Sequence, residues 1–166
     1  MKVITVDDKD RKIGEMEKLK AHEEGALHRA FSVFIMNKKG ELLIQKRAAE
    51  KYHGGGLWSN TCCSHPTGQI KTDAERRLAE EMGFSVDLIE FGEVKYNLKV
   101  GKLIENEYDH LFIGFYDGPV KPNPEEVSDY KWIVPEILKT DFSEDPNRYT
   151  PWFIEIFSLF EDYYSD

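Results

Sequence analysis

The sequence predicts an α+β fold, an α/β/α sandwich in which a mixed sheet carries helices on both faces, and three observations lead there. Residues 30–36 are apolar at both sets of alternating positions, which marks a strand covered from both sides. Two long strand-like runs, 86–100 and 103–116, meet at Gly101-Lys102. Helical patterns are few, with stripes of Ala74, Leu78 and Met82 and of Phe153, Ile156, Phe157 and Phe160 at helical spacing. At 166 residues the chain is expected to form a single domain, 1–166, large enough to enclose a core and a pocket.

Taken in order, residues 2–6 alternate like an edge strand, and 7–12 form a polar turn. After the central strand, 37–40 read as a hairpin turn, and 41–47 as a strand ending in basic residues. Residues 51–68 are loop-like, with Gly54, Gly55, Gly56, Pro66 and Gly68. Thr72 with Glu75 three residues on has the spacing of a capping box, and Gly83 supplies a stop. Beyond the long strands, 129–134 reads as another strand. Pro135 and Pro151 fit the first turns of two helices, the second capped by Thr150.

Composition excludes several classes. Acidic residues outnumber basic ones by 31 to 22 and are spread along the chain, which argues against a nucleic-acid backbone as partner. No apolar run approaches the roughly 20 residues that span a bilayer, and the N-terminal stretch lacks the pattern of a secretory signal. A cytoplasmic protein without membrane contacts is expected. The adjacent Cys62 and Cys63 cannot staple distant segments, so they are reactive or buried thiols.

The chemistry gathers in four places. Glu105 and Glu107, two apart in a strand, project from one face and want a cation or a shared proton, unless they merely form an exposed acidic edge. With His22, His28 and His65 they could make a five-ligand site for zinc, manganese or iron, though either of the first two histidines alone also fits a helix end at the surface. Cys63 stands two residues before His65 inside the glycine-rich loop, with Cys62 the more structural of the pair. Lys18, Arg47, Lys51 and Arg77 could hold an anion. Arg77 and Glu81, four apart on a helix, read either as a surface ion pair or as a phosphate-binding arginine beside a magnesium carboxylate.

At these residues the chain resembles the type I isopentenyl-diphosphate isomerases, a branch of the Nudix superfamily. The resemblance is carried by His22 and His28 leading into Ala30-Phe31-Ser32, by the run from Leu57 to Pro66, and by Arg76-Arg77 with Glu80-Glu81-Met82-Gly83. It continues in Glu105-Asn106-Glu107 and Thr150-Pro151-Trp152. It implies a Nudix-like mixed sheet and interconversion of isopentenyl and dimethylallyl diphosphate. It further implies that His22, His28, His65, Glu105 and Glu107 bind one divalent metal, Mn2+ or Zn2+. Cys63 and Glu107 become the acid and base, Tyr96 and Trp152 the aromatic residues of the isoprenoid pocket, and Lys18, Arg47, Lys51, Ser64 and Arg77 the diphosphate contacts. Glu81, with the Cys63 carbonyl, would hold Mg2+ together with the substrate diphosphate. A monomer or weak homodimer is expected.

Within the superfamily, Arg77 stands where pyrophosphohydrolases have a metal-binding glutamate, Gly68 where the pattern's upstream glutamate would be, and Cys62 at its first glycine. A hydrolase would lose part of its magnesium cluster. The competing readings are a Nudix hydrolase of nucleoside diphosphate derivatives and a metal-stabilised binding module without turnover.

Overall fold

The structure, a computed structural model, describes residues 1–165. Its hub is β3 (His28–Met36). Along one edge β3 runs parallel to β8 (Leu103–Phe115), which pairs antiparallel with β7 (Ile89–Val100). Along the other edge it meets three antiparallel strands in succession: β1 (Lys2–Val6), the short β6 (Cys62–Ser64) and β4 (Leu42–Arg47). β2 (Lys12–Glu17) extends the sheet from β1, while β5 (Trp58–Ser59) and β9 (Val127–Ile133) flank β4.

Two cores lie on opposite faces, as alternation along β3 dictates. Phe31, Val33 and Ile35 pack with Ala74, Leu78 and Met82 of α2 (Ile70–Met82). Phe34 and Met36 pack on the other face with Phe153, Ile156, Phe157 and Phe160 of α4 (Pro151–Ser165) and Leu138 of α3 (Pro135–Glu144). Phe34 and Phe160 stack at 4.6 Å, an arrangement that adds about 1 kcal/mol to the burial itself. The mixed sheet between helical layers is the predicted class.

The differences are local. β2 and the helix α1 (Lys18–Glu24) lie mostly where no element was assigned from the sequence, and the expected loop 51–68 contains β5 and β6. The capping box does not form. α2 begins two residues before Thr72, with Gln69 at its N-cap and no side-chain cap. Glu75 instead accepts from the Leu88 amide at 2.9 Å, and Asp73 from the amides of Thr67 and Gly68 at 2.8 and 2.9 Å. Asp73 thereby ties the loop carrying His65 to the helix. Thr150 precedes α4 as expected, but its hydroxyl pairs with Ser59 Oγ at 2.9 Å.

Candidate active site and metal centre

Rows that cross the sheet assemble the site. Tyr96, Glu107 and His28 are successive register partners on β7, β8 and β3, so their side chains stand side by side on the α4 face. Further along β3, Ser32 is opposite Cys63 of β6. Glu105 and Asp109 flank Glu107 at two-residue spacing, giving three buried carboxyl groups in a line.

His22 arrives on α1, whose charged sequence offers little periodicity. Its first turn is capped by the Glu17 side chain on the Lys20 amide. Its end is pinned by Asn106, the middle residue of the Glu105-Asn106-Glu107 triplet, which donates to the Gly25 carbonyl at 2.9 Å. Gly25 adopts φ +73 against Ile104, where a Cβ would stand 3.1 Å from a side-chain carbon, so only glycine lets the helix close this tightly on β8.

The donor chemistry fits a divalent transition metal. His22 Nδ1 lies 2.7 Å from the Lys18 carbonyl, and His28 Nδ1 2.8 Å from that of Ala26. Carbonyls only accept, so both rings carry a proton on Nδ1, which leaves Nε2 as the atom that a neutral imidazole would offer to a metal. Those nitrogens face carboxylate oxygens, Glu105 Oε2 at 3.2 Å and Glu107 Oε2 at 3.0 Å, while His65 Nε2 is 2.8 Å from the same Glu107 oxygen. A neutral imidazole nitrogen facing a carboxylate oxygen sets acceptor against acceptor, which a proton or a metal cation between them relieves. Two ligands each about 2.1 Å from one metal and at right angles to each other stand roughly 3.0 Å apart. The observed separations have that value, and the five donor atoms all lie within 4.8 Å of one another. Burial and the neighbouring Glu107 push the Glu105 carboxyl well above the usual range, a cost that a bound cation would remove.

Stripping divalent metal with a chelator is therefore expected to lower thermal stability. Metal present at about 1,000 times its Kd contributes about 4 kcal/mol, which for a chain of this size is a melting shift of about 10 °C. Scanning calorimetry with and without chelator measures it.

Behind the metal face, Tyr96 donates to Glu107 Oε1 at 2.6 Å, and its hydroxyl also lies 3.0 Å from Asp109 Oδ2, which accepts from Ser32 Oγ at 2.7 Å. Burial and then Glu107 push Asp109 well above the usual carboxyl range, while the hydroxyls of Ser32 and Tyr96, both donating to Oδ2, pull the other way. Tyr96 thus stands behind Glu107 rather than in the wall of the cleft.

In front lies a cleft of about 430 Å³ lined by Cys63, Glu107 and Trp152 together with Lys18, Arg47, Lys51, Ser64 and Arg77. Four cations converge here in a chain of net charge −9. Lys18 registers the crowding: burial first, then Lys51 and Arg47, lower its ammonium below the ordinary value. Arg47 lies over the Trp152 ring at 5.1 Å and reaches Cys63 Sγ from Nη1 at 3.7 Å. Burial pushes the Cys63 thiol up to about 11, with Arg47 pulling the other way, so the sulfur keeps its proton near neutrality. Cys62 points into the α2 core. From α2, Arg77 Nη2 donates to Glu81 Oε2 at 2.6 Å, so the pair expected on one helix face is joined, and Glu81 lines the same cleft.

Four further residues were not apparent from the sequence. Gln45 Nε2 donates to Glu81 Oε1 at 3.0 Å. Glu126 joins Lys51 to Arg77. Asp109 continues the Glu105-Glu107 row and was reachable by extending the period-two rule one step. His53 lies 3.1 Å from Glu105 Oε1 through Nε2, and burial, then Arg47, lower its imidazole to about 2.

The Nudix domain family matches residues 26–153. The isopentenyl-diphosphate Delta-isomerase 1 of Aromatoleum aromaticum is 49% identical over 153 residues, covering 90% of this chain and 86% of its own. The isopentenyl-diphosphate Delta-isomerase of Serratia proteamaculans is 43% identical over 157 residues, covering 93% and 88%. Among solved structures, the DR0079 protein of Deinococcus radiodurans superposes with a TM-score of 0.73 at 16% identity, covering 87% of this chain and 90% of that one. A MutT protein of Methanosarcina mazei gives 0.66 at 20% identity, covering 84% and 96%. These structural likenesses establish the fold; the sequence relatives go further. The chain belongs to the Nudix family and, within it, to the isopentenyl-diphosphate Delta-isomerases.

Proposed function

We propose that this chain, acting as one unit, interconverts isopentenyl diphosphate and dimethylallyl diphosphate by protonation and deprotonation on opposite faces of the substrate. The observation that carries the reading is the meeting of a thiol, a buried carboxylate and an indole in one cleft with a cationic rim. Cations at the rim hold the diphosphate, leaving the hydrocarbon to reach the inner wall.

Alkenes are very weak bases, so the acid must be pressed against the double bond where water cannot capture the resulting tertiary carbocation. Cys63 and Glu107 are the proposed proton-transfer pair. Because the reaction is reversible, the group that donates in one direction accepts in the other. Tyr96, hydrogen-bonded to Glu107 and backed by Asp109 and Ser32, holds the carboxylate in place. Trp152, 3% exposed, offers an aromatic face to the cation, an interaction of about 2 kcal/mol when desolvated. His22, His28, His65, Glu105 and Glu107 are the proposed ligands of Mn2+ or Zn2+, and Glu81 with the Cys63 carbonyl those of Mg2+ at the diphosphate. When bound, these cations acidify the Glu107 carboxyl and neutralise phosphate charge.

No helix among the described residues is long and apolar enough to cross a membrane. A cytoplasmic monomer or weak homodimer is the proposed setting, and the net charge of −9 favours a small diphosphate over nucleic acid as the partner.

Incubation with isopentenyl diphosphate in deuterated water is expected to yield dimethylallyl diphosphate carrying deuterium. Release of phosphate without isomerisation would show a hydrolase instead, against the presence of Arg77 where a hydrolase keeps a carboxylate.

A further inference from the structure

His53 belongs to no motif, yet it occupies a junction. It sits in the turn between β4 and β5 and is 7% exposed. Its ring stacks on His22 with centroids 5.1 Å apart and planes at 25°. The ring also meets that of Trp152 at 5.4 Å in a tilted arrangement, and its backbone carbonyl accepts from Arg47 Nε at 3.3 Å. Nε2 lies 3.1 Å from Glu105 Oε1, the oxygen that does not face His22.

That contact is close but poorly aligned. Glu105 Oε1 and His53 Nδ1 have no hydrogen-bond partner among the described residues, although both are buried. Nor is His53 one of the five side chains whose donor atoms cluster within 4.8 Å. It therefore stands one layer outside the cation site, within a small ring rotation of donating from Nε2 to the outer oxygen of a ligating carboxylate. The turn is shaped to keep it there: Gly54, at φ +65, passes so near the α4 start that a Cβ would lie 3.0 Å from Trp152 and 3.2 Å from Thr150.

We infer that His53 is a positioning residue of the metal centre. It fixes the free oxygen of Glu105 by hydrogen bonding and holds His22 by stacking, and through its carbonyl it keys Arg47 to the same point. Partners of this kind orient metal ligands, and their loss typically weakens metal binding 10- to 100-fold. The inference rests on the metal-centre part of the proposed function and not on the isomerisation.

The test uses the full chain, stripped of metal and titrated with Mn2+ or Zn2+ alone against a competing chelator. H53F keeps an aromatic ring to stack on His22 but has no donor; H53Q has a donor but no ring. The expected result is a weakening of metal affinity of about 10-fold or more in H53F, substantial recovery in H53Q, and melting temperatures in chelator that match wild type. Activity of H53F should return at saturating metal. Wild-type metal affinity in H53F would overturn the inference, as would H53Q binding no better than H53F. Should H53F fail to fold, H53L against H53Q makes the same comparison. A wild-type chain that binds metal but does not isomerise would sink the function and leave this inference standing. One that binds no metal would sink this inference.

Discussion

Replacing Cys63 by alanine is expected to lower kcat by about 10³-fold or more while leaving metal content unchanged. The sulfur accepts from Arg47 but takes no part in the cluster of five metal-facing side chains. The strand pairing of Cys63 with Ser32 is made by the backbone and survives the substitution. Loss of one sulfur atom from a half-buried position costs roughly 1 kcal/mol of stability, far less than the catalytic loss. C63S provides the sharper control. Its hydroxyl matches the thiol in shape but is a much poorer acid, and its conjugate base is not reached near neutrality, so it should be nearly as inactive as C63A. Product formation, metal analysis and melting curves on the three proteins check this together. Turnover near wild type in C63A would mean that the protons travel through other groups.

How much of this was legible depends on whether a feature is periodic. The α2 stripe of Ala74, Leu78 and Met82 and the α4 stripe from Phe153 to Phe160 are buried as read, because a helix face packed on a sheet must repeat at 3.6 residues. The same holds for the period-two row of Glu105 and Glu107. By contrast, residues 12–24 carry so many charges that neither β2 nor α1 shows a pattern. α1 stands on a glutamate cap, two buried residues and the grip of Asn106 on Gly25, which is tertiary information. Thr72 and Glu75 had the spacing of a capping box, but Glu75 was drawn off to the Leu88 amide, a partner 13 residues away. His53 and Glu126 could not be seen because their partners, Glu105 for one and Lys51 with Arg77 for the other, come from remote segments.

The Glu107 carboxylate serves two systems at once, and E107Q should expose both. Oε2 faces His28 and His65 at 3.0 and 2.8 Å, and Oε1 accepts from Tyr96 at 2.6 Å. Glutamine preserves shape but cannot accept and release a proton as a carboxylate does. Turnover is expected to fall about 10⁴-fold or more. Unlike C63A, this variant should also bind metal at least about 100-fold more weakly, since a ligand is lost and not merely an outer partner. In chelator, however, E107Q is expected to melt at or above the wild-type temperature. The glutamine amide can donate to a neutral histidine Nε2 while its oxygen still accepts from Tyr96, and the buried charge that raises the Glu105 and Asp109 carboxyls disappears. About 1 kcal/mol gained this way would raise the melting temperature by about 3 °C. Calorimetry of both proteins with and without metal reads the crossing: wild type more stable with metal, E107Q no less stable without it. A variant that kept the full metal-induced stabilisation would show that Glu107 is not a ligand, and the separation of roles between Cys63 and Glu107 would fail with it.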